Sequence, residues 1–363
     1  MRWEFEALDS FFFRGPAPFH AGEGGQGGQQ SLFPPAMNTI QGAIRYQLAV
    51  GQGWQPGEDR LWPGELGDND DLGELLLRGP YLCKDSEVLF PAPLFLLNRG
   101  ADRYSRLNLG KEVLTDIGRV RLPMMPQESV GAKPMEQHWL TGSAMERVLA
   151  GKTPNSSLKE VFSCCDLWKD EPKVGIKIDA STRTAKDSML YAVNMVRPIK
   201  GVTVIVGVDG IQRGWVKGLP EVVNLGGEGK LAKLQVTHDE INLPVVPELK
   251  PVNGKILFTV TLITPGYFGD TTHQAVMGNF SNIPGRCVSA CIGKAIQVGG
   301  WDLKQKRPRP LRPFLPAGST WFFEGDECDL HHIKTLHGRC LGDDRSESYG
   351  YGQILIGRWE EER

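Results

Sequence analysis

The 363-residue sequence predicts an α+β protein of two βαββαβ units, the first carrying a large insertion. Three observations predict it. Over residues 1–240 the signals run strand, helix, a long irregular stretch, hairpin, buried strand, turn or short helix, glycine loop and strand. Residues 241–363 repeat much of that order and again end on helix, Gly-bearing loop and strand. Between them, the proline-rich INLPVVPELKPVNG at 241–254 reads as a linker. A βαββαβ unit closing an antiparallel sheet is the ferredoxin-like arrangement.

The elements follow in order. MRWEFEALD at 1–9 alternates apolar and polar residues, as a half-buried strand does. FRGPAPFHAGEGGQGGQQS at 13–31 is a Gly/Gln-rich loop, and a loop of that length inside a domain is disordered or functional. FPPAMNTIQGAIRYQLAV at 33–50 starts on prolines and spaces Ile40, Ile44 and Leu48 at helical intervals. Gly42 and Ala43 leave one face of that helix small enough for close approach. Residues 51–172 break the rhythm. They are rich in Trp, Pro and Gly, hold apolar pieces such as GELLLRGPYL and EVLFPAPLFLL, and contain a helix in WLTGSAMERVLAG. The expectation is an insertion over about 51–172 within a first domain at 1–240, with a second domain at 241–363. VGIKIDASTRTAKDSMLYAVNMVRP at 174–198 is a long hairpin, and KGVTVIVGVDG at 200–210 a buried strand. In the second half, strands at KILFTVTLITPGYF, RCVSACIGKAIQVGGWDL and GSTWFFEGD flank a basic segment. LHHIKTLHG is a short helix, and QILIGRW is the last strand.

Composition excludes several classes. Forty-one Lys and Arg against 43 Asp and Glu give a formal charge of −2, so a polyanion partner would have to be read from local charge. Seven cysteines, an odd count, with no secretory pattern in MRWEFEALDSFFF, point to a reducing, cytoplasmic compartment. No run approaches eighteen apolar residues, so no membrane partner is expected.

NLGGEGKLAKLQV at 224–236 invites a phosphate-loop reading and fails it. A Walker-type loop needs four residues between its first Gly and the Gly-Lys-Ser/Thr, and runs from strand into helix. Here Gly227 and Gly229 are too close, Leu231 stands where a metal-binding hydroxyl should be, and the loop leads into a strand. A glycine helix cap remains open. So does a surface that another backbone approaches closely.

In order along the chain, FRGPAPF (13–19), FPPAMNTIQGAIR (33–45), LRGPYL with EVLFPAP, VGIKIDASTRTAKDSMLY (174–191), LGGEGKLAKL (225–234), FLPAGSTWFFE (314–324) and YGYGQILIGRW form one series. That series resembles the RAMP superfamily of CRISPR-associated proteins, and within it the third subunit of the Cmr (type III-B) effector complex. The resemblance covers nearly the whole chain. It implies two ferredoxin-like domains, no nuclease activity, and RNA binding at the 5′ repeat-derived handle of the crRNA guide. It also implies docking to the large cyclase/polymerase-like subunit and to the first backbone RAMP subunit. It implies neither cofactor nor metal.

The candidate RNA-binding residues fall in four places. Arg14 and His20 lie in the loop after the first strand; Asn38, Thr39 and Arg45 lie at the start of the first helix, where a phosphate is favoured. Lys177, Arg183, Thr184 and Lys186 ring the hairpin loop, either as a prong offering charge-assisted bonds to phosphates or as a solvated tip; the resemblance favours the prong. Gly226, Gly227, Gly229 and Lys230 make the glycine loop. LKQKRPRPLRP at 303–313 holds five cations and no acid, and suits a phosphate backbone or a protein surface equally. Cys328, His331, His337 and Cys340 are four residues of zinc-ligand type, but five residues between the pairs is short for a finger. Two other classes stay open: metal-free RNA cleavage with His20 paired to Tyr46 or Lys177, and a scaffold that binds protein only.

Overall fold

The computed structural model describes residues 1–15, 29–58, 61–69, 71–100, 102–116, 118–179, 181–302, 305 and 307–360. The chain divides into two compact units, each assembled from separated stretches.

The first unit comprises Met1–Ser86, Cys165–Glu240 and Gln297–Leu311. Its main sheet is built of β1 (Arg2–Ala7), β2 (Leu76–Lys84), β5 (Val202–Asp209), β6 (Val222–Asn224) and β7 (Leu231–Thr237). The spatial order is β2-β5-β1-β7-β6, every neighbouring pair antiparallel, so β1 and β2 run parallel with β5 between them. Alternation in β1 buries Trp3 and Phe5 and leaves Arg2 and Glu4 on the other face. There Arg2 donates to Glu4 at 2.8 Å, and Glu4 accepts from the Thr203 hydroxyl at 2.8 Å. Val204, Ile205, Val206 and Val208 are fully buried, as expected of an apolar run at the middle of a sheet. Helix α1 (Met37–Gly51) buries Ile40, Ile44 and Leu48 on one face.

Three elements differ from the sequence expectation. The strand paired with β5 is β2, from the stretch read as insertion. Gly79 and Pro80 disguised it, because Pro is disfavoured inside a sheet. The β2–β5 register shifts between Ile205 and Gly207, opposite that pair, and absorbs the missing donor. The predicted hairpin, β3 (Trp168–Ile178) and β4 (Ala185–Pro198), stands outside the main sheet; its third strand is Gln29–Gln30, parallel to β4. Val174, Ile176 and Ile178 are 68%, 49% and 61% exposed, so its alternation does not report a core. Finally, a methyl group on Gly42 would meet nothing within 4 Å, so no close packing of α1 occurs there. The turn or short helix expected near 211 is the single 3₁₀ turn Arg213–Val216.

The second unit comprises Glu87–Cys164, Ile241–Ile296 and Arg312–Arg363. Its four-stranded sheet is built of β8 (Lys255–Leu262), β9 (Arg286–Cys291), β10 (Thr320–Asp326) and β11 (Ile354–Arg358), in the order β9-β10-β8-β11 and antiparallel throughout. Phe258, Val260, Trp321, Phe323, Ile354 and Ile356 form its core with Ile333 from the short helix Leu330–Thr335. The 87–164 stretch brings to this unit α2 (Gly142–Leu149), capped by the Thr141 hydroxyl, and the hairpin Asn108–Thr115/Gly118–Met124.

Candidate nucleic-acid interface

The loop after β1, the base of the β3–β4 hairpin and the glycine loop meet in the first unit. Residues 11–15 thread between them by main-chain bonds. Phe11 exchanges amide hydrogen bonds with Val196 (2.7 and 2.9 Å), Leu32 N–H donates to the Phe13 carbonyl (2.8 Å), and Gly15 N–H donates to that of Gln30 (3.1 Å). Arg14 and Ser31 face each other as an isolated antiparallel bridge. Phe12 packs against Val193 and Met195 of β4.

At two positions the glycine loop is approached by the chain itself. Gly227 N–H donates to the Phe12 carbonyl at 2.8 Å. Gly226 sits at φ +88°, and a methyl group there would lie 2.6 Å from the Phe12 carbonyl oxygen; one on Gly227 would lie 3.1 Å from the Phe12 ring. The backbone that these glycines admit is the chain's own. Gly229, at φ +63°, has no described atom within 4 Å of the same position. The loop runs directly into β7, so no helix follows it in the chain.

Lys230 is engaged as well. Its ammonium donates to the Ser10 hydroxyl at 3.0 Å and lies 3.6 Å from Asp9, with 14% of the side chain exposed. Asp9 meets Arg197 at 2.7 Å, Arg197 meets Glu171 at 2.6 Å, and Lys173 meets Glu171 at 3.1 Å. The Arg197 hydrogen bond, helped by the charges of Lys230 and Lys173, holds the Asp9 carboxyl below its ordinary value despite some desolvation. The Lys173 hydrogen bond, and then Arg197, hold Glu171 low in the same way. These five charges fasten the hairpin base to the loop after β1. The sequence reading missed Asp9, Glu171, Lys173 and Arg197, because each looks like an ordinary solvated charge until the fold collects them.

The hairpin tip is a separate structure. The Asp179 carboxylate accepts the backbone N–H groups of Ser181 (2.8 Å) and Thr182 (3.3 Å), and Arg183 N–H donates to the Asp179 carbonyl at 2.8 Å. Arg183 and Thr184 are exposed, and Arg183 makes no ion pair among the described residues. Five residues of extended strand separate Lys173 from Ile178, or about 17 Å. His20 lies outside the described residues, as do the side chains of Lys177 and Lys186.

The helix-start candidates are used inside the unit. The Asn38 amide donates to the Gly299 carbonyl at 2.8 Å, tying α1 to the 297–311 segment. Thr39 N–H donates to the Ala36 carbonyl. Arg45 is 8% exposed; it donates to Gln41 at 3.1 Å and to the Asp68 carbonyl at 2.6 Å, with its guanidinium 5.4 Å from the Trp62 ring centre. Of the basic segment, Arg309 donates to the Asn69 carbonyl at 2.6 Å, while Leu303, Lys304 and Lys306 lie outside the described residues.

No group of three or more metal-ligating side chains gathers among the described residues. His337 has both ring nitrogens occupied: Nε2 donates to the Pro244 carbonyl at 2.7 Å, and Nδ1 accepts the Ile356 N–H at 3.1 Å. Burial lowers its pKa. No described helix is long and apolar enough to cross a membrane.

A family model described as CRISPR-associated protein (Cas_Cmr3) matches residues 3–359. The chain belongs to that family. Two solved structures share the fold. One, a type III-B Cmr-beta bound to cognate target RNA and AMPPnP, aligns at TM-score 0.57 and 17% identity over 99% of both chains. The other, Cmr-beta bound to cognate target RNA, aligns at TM-score 0.56 and 18% identity over 98% of this chain and 96% of that one. No curated protein matches the chain. The sequence resemblance therefore led to the right family, and this Cmr3-family chain is a RAMP-type CRISPR subunit of mixed α and β structure.

Proposed function

We propose that this Cmr3-family chain is a non-catalytic subunit of a type III-B effector that holds the 5′ repeat-derived handle of the crRNA. In this reading its two units are ferredoxin-like domains, and it bridges the large cyclase/polymerase-like subunit to the backbone RAMP subunit. The strand orders β2-β5-β1-β7 and β9-β10-β8-β11 support the domain reading, because each follows the 2-3-1-4 order of a βαββαβ unit.

One observation carries the RNA reading. The hairpin's base charges are consumed by one another, whereas Arg183 and Thr184 at its tip are exposed and hold no ion pair among the described residues. A basic, hydroxyl-bearing tip on a fixed stem suits phosphate and ribose contacts. Lys177 and Lys186 flank that tip in sequence, and Arg14 lies on the strip that joins hairpin and glycine loop. Gly229 is the loop position left open to a second backbone.

The test is Arg183→Ala with Lys186→Ala in the assembled complex. Handle-RNA affinity should fall for all guide sequences alike, and its dependence on log salt should flatten by about one per lost phosphate contact. Unchanged affinity and slope would move the tip's role to protein docking.

A further inference from the structure

All nine tryptophans lie among the described residues, and Trp301 is the exposed one, at 52%. Trp3, Trp139, Trp321 and Trp359 are buried, and the other four are half-buried. Trp301 sits on a short antiparallel ribbon of the first unit, Trp301–Asp302 against Arg307–Pro308. Trp301 lies opposite Pro308, and Asp302 opposite Arg307. Successive strand residues face opposite ways, so Trp301 and Pro308 share one face, and both are exposed.

The ribbon is fixed at its base. The Asn38 amide donates to the Gly299 carbonyl at 2.8 Å, Arg309 N–H donates to the Gly300 carbonyl at 2.9 Å, and the Arg309 guanidinium donates to the Asn69 carbonyl at 2.6 Å. A methyl group on Gly300 would lie 3.9 Å from the Asn38 side chain. The exposed indole therefore stands near the start of α1, on a base tied by three hydrogen bonds. An aromatic surface already held in place loses little freedom when a partner stacks on it.

Local charge decides the kind of partner. Residues 303–311 carry Lys304, Lys306, Arg307 and Arg309 and no acid. Arg307 is exposed and makes no ion pair among the described residues. The one carboxylate of the ribbon, Asp302, accepts the Gln305 N–H at 2.8 Å. Protein interfaces are depleted of lysine, whereas sites for single-stranded RNA set an aromatic ring among cations. The ring offers its face to a base, and the cations of the same short segment suit the phosphates on either side.

We infer that Trp301 is a stacking platform for one unpaired base of the crRNA handle. The inference rests on the RNA reading of the first unit and adds to it a base contact that carries no charge.

The test uses the assembled complex and handle RNAs in which each nucleotide in turn is abasic. Trp301→Ala should weaken the intact RNA roughly 5- to 150-fold, and Trp301→Phe, which keeps a ring, by less. The residue is exposed, so the substitution opens no cavity. The slope against log salt should not change, because no phosphate contact is lost. One abasic position should weaken the wild type by a similar factor and Trp301→Ala no further. Unchanged affinity of Trp301→Ala would overturn the inference, and so would a loss that persists at every abasic position. A Trp301→Ala complex that keeps its RNA affinity but loses a protein subunit would make the ribbon a protein-docking surface instead. The double variant Arg183→Ala, Lys186→Ala separates the two readings. A loss there with none at Trp301 removes this inference alone, and no loss at either removes both.

Discussion

Replacing Gly226 by Ala tests whether the glycine loop is an internal clasp. Two costs are visible at the site. The residue holds φ +88°, which disfavours any L side chain by about 1–2 kcal/mol. The new methyl would also lie 2.6 Å from the Phe12 carbonyl, the acceptor of the Gly227 N–H. Relieving that contact displaces an acceptor whose hydrogen bond is worth about 1 kcal/mol net. The entropy lost from the unfolded chain returns about 0.4–1 kcal/mol. The balance is a local destabilisation of about 2 kcal/mol. Gly229→Ala shares the left-handed backbone and the entropy return but meets no atom within 4 Å, so its cost is about 0–1 kcal/mol. Because the chain has two units, a single unfolding curve would mix them. Hydrogen exchange at the Phe11, Val196 and Gly227 amides isolates the clasp. Gly226→Ala should speed exchange there roughly fivefold more than Gly229→Ala, for a difference of about 1 kcal/mol. Equal effects would show that Phe12 does not depend on the close approach, and the clasp argument would fail.

Three further outcomes follow from the same geometry. Arg45→Met should destabilise the first unit by about 1 kcal/mol, since it loses the bonds to Gln41 and to the Asp68 carbonyl; hydrogen exchange at the α1 amides reads this, and RNA affinity of the assembled complex should not change. His337 must stay neutral to accept the Ile356 N–H, and its folded pKa lies below the ordinary 6.5. Its contribution is therefore whole above pH 6.5 and is lost as pH falls towards the folded value, because the unfolded chain binds the proton first. Thermal melting between about pH 7 and 5 should show the drop, and His337→Gln should flatten it. The folded pKa of Asp9 is likewise depressed, so its ion pairs persist above the unfolded value of 3.8 and fail as pH falls through the folded value. Exchange protection at Phe11 and Val196 should step down in acid only, and Asp9→Asn should remove the step.

The sequence carried the four sheet strands of the second unit, because each lies in an apolar run: KILFTVTL, RCVSAC, TWFFEGD and ILIGR; it did not show that 87–164, read as insertion, joins them. It carried the first unit less well. Strand β2 hid behind Gly79-Pro80, and the hairpin's alternation belonged to a projecting arm whose Val174, Ile176 and Ile178 face solvent. Local pattern reports where apolar residues recur, not which surface covers them. The candidate site was legible as a set of segments and not as a set of side chains. The loop after β1, the hairpin and the glycine loop do converge, yet Lys230, Arg45 and Asn38 turn inward to partners that no spacing announces: Asp9, the Asp68 carbonyl and the Gly299 carbonyl.

Magnitudes decide what holds the hairpin. Asp9 and Arg197 are 53% and 45% exposed, and exposed ion pairs contribute about 0–1 kcal/mol each and are screened by salt. Phe12 is 5% exposed against Val193 and Met195, and burying such a ring contributes about 1.5–3 kcal/mol without salt dependence. The Phe11–Val196 and Gly227–Phe12 main-chain bonds add to the apolar side. The base is therefore fastened by packing first and by the five charges second. Raising salt should therefore leave the stem in its seat. If the tip holds the handle as proposed, the salt slope of RNA binding would report contacts made by Arg183 and its neighbours, and not melting of the arm that carries them.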